Sequence, residues 1–456
     1  MESRLHGDAV KTEGRRIPAR SARRSSRSPA EIDSSIPRNI LLIEDSLALA
    51  SLMKARLTTV GGANVTHCQT LKEADELIAS QQFVFAITGL SLPDAKGDDI
   101  LQHLENAGLP AMVFTAKQDS HAQSHYVELR LLDYVVKEDL SSVDRVSMAA
   151  ARILDNILIK VLVVDDTRSA RTPIVDALRR QNFTVLEAKS GGEALELLEE
   201  HTDIELLITD YHMPDMDGYQ LVRKVRQSLP SDQLRIIGVT SSTDRLLSSL
   251  FLKAGASDFV HRPILPEEFQ CRIDNNVETL KQIKRLRYFA ERDQLTDLPN
   301  RRYFFEAATK LMNEDTEKGI ESAFALLDID HFKKINDTHG HEAGDETLRT
   351  LARCMENLIA RTPHLIGRLG GEEFAIYMHG LSKQEAHDWC DTMRAEIAEM
   401  TIKTRETTLK ITASIGVADV QPHEPLDNQL NAADQLLYMA KNSGRNRVFS
   451  EMSFVS

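Results

Sequence analysis

Residues 367–377 read Gly-Arg-Leu-Gly-Gly-Glu-Glu-Phe-Ala-Ile-Tyr, two short apolar runs joined at Gly370-Gly371 with Glu372 and Glu373 beside the turn. Paired glycines let the backbone approach a ligand with no side chain in the way. Upstream, the apolar run 323–327 closes on Asp328-Ile329-Asp330. With Asp328 on a neighbouring strand facing the two glutamates, the three acids offer an oxygen-rich site for a divalent metal. Such a site suits a triphosphate, whose charge the metal neutralises while it activates an attacking hydroxyl. The hairpin taken alone fits equally well a tight turn with two solvated acids.

A second group of acids lies nearer the N-terminus. Asp165 and Asp166 close the run 160–166, Asp210 follows the run 206–209, and Thr240 ends the run 237–240. Carboxylates gathered at one edge repel one another unless a hard cation such as Mg²⁺ sits among them. A carboxylate beside that ion can act as a nucleophile toward a phosphoryl group.

The elements that must hold these residues are short runs rich in Val, Ile and Leu, as central parallel strands are. They occur twice: 39–45 matches 160–166, 84–87 matches 206–209, 112–115 matches 237–240, and 134–137 matches 259–262. Amphipathic stretches such as 192–199 lie between them. The pattern predicts two tandem doubly wound α/β units, with functional residues at the carboxyl ends of the strands. In the first unit, the position four before Pro93, where Asp210 stands relative to Pro214, is Gly89. Glycine cannot form an acyl phosphate, although Glu44, Asp45, Thr115 and Lys137 are kept. Asp94, after the proline, points elsewhere on the loop.

From 268 to 291 the chain has no Gly or Pro, and Phe269, Ile273, Val277, Leu280, Ile283 and Leu286 recur every three or four residues. The pattern predicts an amphipathic helix that pairs with its copy in a second chain, the alternative being a helix packed on its own domain. A chain of 456 residues suggests roughly three domains of about 150 residues. The first 38 residues carry Arg15, Arg16, Arg20, Arg23, Arg24 and Arg27 with little apolar content, which predicts a disordered basic arm. A net charge of −14 argues against broad nucleic-acid binding. No apolar run approaches the roughly 18 residues of a membrane span. Cys68, Cys271, Cys354 and Cys390 have no metal-ligand spacing and read as reduced thiols of a cytoplasmic protein.

The two repeated units resemble the receiver domains of response regulators, over 39–157 and 158–270. The resemblance implies that Asp210 is the phosphoacceptor, that Asp165 and Asp166 hold Mg²⁺ with it, and that Thr240 contacts the phosphoryl group. Phe259 would be the aromatic residue that moves on activation. Arg262 stands where the family has lysine; it keeps the charge but not the shape of an ammonium. The first unit would be a degenerate receiver serving as a dimerisation or adaptor surface, and a sensor histidine kinase or phosphotransfer protein would be the phosphodonor partner.

After a linker helix over 271–292, residues 293–452 resemble the GGDEF family of diguanylate cyclases. The carrying motifs are Asp293 to Arg302 (DQLTDLPNRR), Asp328 to Asp337 (DIDHFKKIND), Gly340 to Asp345 (GHEAGD), the GGEEF hairpin, 412–418, and 433–446 with Tyr438, Lys441 and Arg445. The implied fold is α/β with a central, mainly antiparallel, nucleotidyl-cyclase-like sheet. Asp328, the Ile329 carbonyl, Glu372 and Glu373 would bind Mg²⁺, with base catalysis falling to one of the glutamates. Asn336 and Asp345 would read guanine, a carboxylate accepting from donors that adenine lacks on that edge. Lys333, Lys441 and Arg445 would hold phosphates, and Gly370 and Gly371 would admit the substrate.

The implied reaction joins two GTP into cyclic di-GMP with loss of pyrophosphate. Each domain supplies half the site, so a homodimer is expected. The family's inhibitory RxxD reads Arg361-Thr362-Pro363-His364, which predicts weak product inhibition. A catalytically silent scaffold that binds GTP or cyclic di-GMP is the alternative. A DNA-binding output, with sequence-specific nucleic-acid contacts, is poorly supported because no recognition-helix pattern is present.

Overall fold

The computed structural model describes residues 38–116, 131–241, 245–404 and 407–454. The chain divides into two compact units, Met1–Lys284 and Arg285–Ser456. The arginines of the basic arm lie outside the described residues. Arg38, counted with that arm, belongs instead to the folded body: it is 6% exposed, donates to the Gly61 carbonyl and pairs with Asp155 at 2.9 Å.

The first unit holds two sheets of one design. Strands β1 (Asn39–Ile43), β2 (Asn64–Cys68), β3 (Phe85–Thr88), β4 (Ala111–Thr115) and β5 (Asp133–Val136) are all parallel, in the order β2-β1-β3-β4-β5. Strands β6 (Lys160–Val164), β7 (Thr184–Ala188), β8 (Ile204–Asp210), β9 (Arg235–Thr240) and β10 (Asp258–His261) repeat that order, again all parallel. This is the doubly wound, flavodoxin-like order, whose crevice lies at the carboxyl ends of the central strands. Every residue of β3 and β4 is buried, because helices cover both faces.

The helix Pro266–Glu291 corrects one expectation. Phe269, Ile273, Val277 and Leu280 are at most 5% exposed; the first three join the core against β6, β8, β9 and β10. Burying each such side chain contributes about 1.5–3 kcal/mol, so the open face of the second sheet claims the stripe expected to pair between chains. Only beyond this do Leu286 and Phe289 remain exposed, at 68% and 58%. The segment assigned to a linker therefore begins inside the last helix of the second α/β unit. Arg152, on the helix Ser141–Asn156, forms an ion pair with Asp274 and joins the first repeat to this helix.

The second unit is built on one sheet, in the order β12-β13-β11-β16-β17. Its strands are β11 (Ser322–Ile329), β12 (Leu365–Gly370), β13 (Glu373–His379), β16 (Ala413–Asp419) and β17 (Val448–Ser450); β14 (Ile402–Lys403) and β15 (Thr408–Leu409) form a separate small hairpin. The pairs β12/β13, β13/β11 and β11/β16 are antiparallel, and β16/β17 is parallel. Central β11 is buried throughout, with one hydrophobic cluster on each side of the sheet. Helices Phe332–His339 and His341–Ile359 follow β11, and helix Leu426–Asn442 packs against the sheet, ending beside the carboxyl end of β11.

Candidate active site

The antiparallel register sets Asp328, near the end of β11, directly opposite Glu373, the first residue of β13. Asp328 is 6% exposed, and burial raises its pKa; Lys441 opposes that rise, while Glu372 and Glu373 add to it. The ammonium of Lys441, expected on a phosphate, lies 2.8 Å from the Asp328 carboxylate. Gly370 and Gly371 turn the chain with φ of +148° and +54°, conformations that side chains disfavour.

Arg368 is the part that sequence reasoning missed. Its guanidinium donates to the Gly371 carbonyl from Nε (3.0 Å) and Nη2 (2.7 Å), and to Asp293 Oδ1 from Nη1 (2.7 Å). Asp293 also accepts from the backbone and hydroxyl of Thr296. Burial pushes the Asp293 carboxyl up, but the bonds from Thr296 and Arg368 outweigh it and hold the pKa below the ordinary value. The opening motif is therefore a clamp on the glycine turn. No local spacing signals this role in the sequence, because the partners are a backbone carbonyl and a carboxylate 75 residues away.

Asp330 also has a structural role. It is 6% exposed and accepts from Thr412 Oγ1 (2.7 Å), Ser414 Oγ (2.7 Å) and the Asn446 backbone (2.9 Å). It thereby ties the Arg445 loop to the end of β11. Asn336 presses against the next helix: a Cβ on Gly344 would fall 1.9 Å from its Oδ1. That contact brings Asn336 beside Asp345, which is half exposed and 3.8 Å from Arg349. Lys333 and Arg445 are exposed. Arg361 is exposed as well, whereas His364 is 9% exposed, its ring edge-on to Trp389 at 5.0 Å.

In the second repeat, Asp165, Asp210, Thr240 and Arg262 gather at the carboxyl edge of β6, β8, β9 and β10. Asp165 is 3% exposed and bonds Arg262 Nη2 at 2.6 Å; Asp210 lies 3.5 Å from the same nitrogen. Burial raises the pKa of both acids, and their proximity raises that of Asp210 further. Asp166 is exposed, Thr240 is 3% exposed, and the half-buried Phe259 ring is edge-on to His261. Among the described residues, no three His, Cys, Asp or Glu side chains converge closely enough to hold a metal ion. At both acidic sites a cationic side chain, Lys441 or Arg262, stands against the carboxylates instead.

The first repeat differs at its centre. Lys137 Nζ pairs with the buried Glu44 at 2.7 Å, and a Cβ on Gly89 would lie 3.8 Å from Glu44 and 3.9 Å from Lys137. Asp94 accepts from the backbone of Leu71 and Lys72, both at 3.0 Å, capping a helix as Asp215 does with Gly191 and Gly192. No described helix is long and apolar enough to cross a membrane.

A family model for the diguanylate cyclase GGDEF domain matches residues 290–447, and one for the response regulator receiver domain matches 40–143 and 161–274. The response regulator PleD of Caulobacter vibrioides is 31% identical over 317 residues, 66% of this chain and 67% of that protein. Diguanylate cyclase DgcM of Escherichia coli K12 is 34% identical over 40% of this chain and 43% of its own length. A crystal structure of a two-component system response regulator/GGDEF domain protein is 36% identical, covering 54% of this chain and 99% of that one, with a TM-score of 0.48. The chain belongs to the response regulators that join receiver domains to a C-terminal GGDEF diguanylate cyclase domain.

Proposed function

We propose that this protein condenses two GTP molecules into cyclic di-GMP, releasing two pyrophosphates. The 3′-hydroxyl of each GTP attacks the α-phosphorus of the other. The observation that carries the reading is Asp328 set opposite Glu373 beside an open glycine turn, with the Lys441 ammonium on its carboxylate. The Lys441 ammonium on the buried Asp328 supports a site that takes positive charge, and the oxygens of Asp328, the Ile329 carbonyl, Glu372 and Glu373 are hard donors of the kind Mg²⁺ takes. Bound there, Mg²⁺ would neutralise the triphosphate and make the attacking hydroxyl more acidic. Lys441, released from Asp328, is then free to hold phosphate with Lys333 and Arg445. Asn336 and Asp345 read guanine, and mispairing such a group costs about 1–3 kcal/mol, which disfavours ATP. Either glutamate can take the proton of the attacking hydroxyl.

Each domain carries one such set of residues, so the reaction needs two chains face to face. Phosphorylation of Asp210 by a cognate kinase or phosphotransfer protein would shift that pairing, in a cytoplasmic setting that supplies GTP. The exposed Leu286 and Phe289 are the part of the long helix left to meet a second chain. The first receiver, lacking a nucleophile at Gly89, is an adaptor that braces this helix through Arg152 and Asp274. Incubation with GTP and Mg²⁺, with and without acetyl phosphate, followed by nucleotide chromatography, tests the reading. Cyclic di-GMP formation that rises with acetyl phosphate is expected; GTP recovered intact under both conditions would overturn it.

A further inference from the structure

A cavity of about 580 Å³ lies behind the substrate-binding helix of the cyclase domain. It falls within the roughly 300–1,000 Å³ typical of small-molecule sites. One side of the helix Phe332–His339 lines it. Residues 331, 334, 335 and 338 follow the helical i, i+3, i+4, i+7 repeat and all face the cavity, whereas Asn336 presses on Gly344. The cavity is therefore separate from the surface that reads guanine.

Its chemistry has two parts. Ile335, Leu409 and Ile411 supply an apolar surface, and Ile411 is 4% exposed. Lys334, Lys410, His331 and His339 stand around the opening, all exposed, against few acids. Lys410 lies 3.6 Å from Glu399, and both oxygens of Asp330 are already taken by Thr412, Ser414 and Asn446. An apolar floor with two lysines and two histidines around its opening suits a flat ring carrying phosphate.

We propose that this cavity binds a nucleoside monophosphate, ring against Ile335 and Ile411 and phosphate between Lys334 and Lys410, and that its occupant tunes the substrate site. The route is short. Asp330 follows Asp328 and Ile329 on the same strand end and holds the Arg445 loop, while the shared helix carries Lys333 and Asn336 on its other side. A ligand wedged against Asp330, Thr412 and this helix touches three supports of the GTP site at once. The tuning rests on the cyclase reading above; the binding does not.

The test uses the full chain and AMP, which is not a substrate and lacks the guanine donors that Asp345 would read. Calorimetric titration is expected to saturate with Kd near or below about 1 mM. Losing one charge-assisted contact weakens binding about tenfold or more, so Lys410→Gln and Lys334→Gln should each do so. Both lysines are exposed, and thermal melts check that the variants stay folded. Asp345→Ala should bind AMP as wild type does, and GMP should behave like AMP in that variant. In wild type, AMP should also shift the apparent KM for GTP, and the shift should vanish in Lys410→Gln. No saturation, binding indifferent to both lysines, or binding abolished by Asp345→Ala would each overturn the site. A chain that forms no cyclic di-GMP but binds AMP through Lys410 would keep the site and discard the cyclase reading.

Discussion

Arg368→Ala removes the clamp on the catalytic hairpin while leaving in place every side chain proposed to meet substrate. Three bonds are lost, two to the Gly371 carbonyl and one to Asp293. The Arg368 side chain is 11% exposed and that of Asp293 26%, so solvent screens the pair only in part. Hydrogen bonds involving a charged group contribute about 1.5–3 kcal/mol, and bonds sharing one guanidinium do not add fully. A net loss of about 3 kcal/mol follows, which lowers the melting temperature of a unit this size by about 6–12 °C. The carboxylate of Asp293 is depressed in the folded state, so the clamp contributes fully above its unfolded pKa of about 4. That contribution is lost as pH falls through the lower folded value. The stability gap between wild type and variant should therefore close in acid. Freed from Arg368, the turn no longer fixes Glu372 and Glu373, and misplacement by about 1 Å costs on the order of 100-fold in rate. Thermal melts across pH, with initial rates of cyclic di-GMP formation at neutral pH, measure both effects. Arg368→Lys should recover only part of each, because an ammonium cannot span both acceptors. A variant that melts within about 1 °C of wild type and keeps full rate would refute the clamp.

Asp210→Asn should lose all stimulation by acetyl phosphate while keeping basal cyclic di-GMP synthesis, and equal stimulation of variant and wild type would reject Asp210 as the switch. Cyclic di-GMP should inhibit its own synthesis weakly, because His364 is turned against Trp389 and offers no exposed carboxylate. Tight inhibition that disappears with Arg361→Ala would contradict this. Gly371→Ala should cost about 1–2 kcal/mol, since its φ of +54° disfavours a Cβ although nothing lies in the way. A calorimetric melt unchanged by the substitution would show that the turn adapts.

The two doubly wound sheets were legible because parallel strands covered on both faces leave short unbroken apolar runs, and the same runs occur twice in one order. The carboxylates at their ends were legible for the same reason, since strand ends and function coincide in this fold. What each buried face meets was not legible. The stripe of Phe269, Ile273 and Val277 has one period whether its partner is another chain or its own sheet, and the structure gives it to the sheet. Pairings across long separations were equally hidden. Lys441 and Asp328 meet only because the helix Leu426–Asn442 ends at the edge of β11, and no local spacing encodes that. Asp330 lies just past the end of β11 and is spent on Thr412, Ser414 and Asn446, partners more than 80 residues away that no local spacing announces. Arg368 went unassigned because its partners are a distant carboxylate and a backbone carbonyl, neither of which leaves a mark in the sequence.

The central claim is that each chain contributes half of a site that joins two GTP. Product formation measured over a range of chain concentrations, with acetyl phosphate present throughout, tests it most directly. The expected result is cyclic di-GMP and pyrophosphate in a ratio of about one to two, with a rate per chain that rises with concentration until pairs saturate. A chain that binds GTP yet forms no cyclic di-GMP at any concentration would contradict the account.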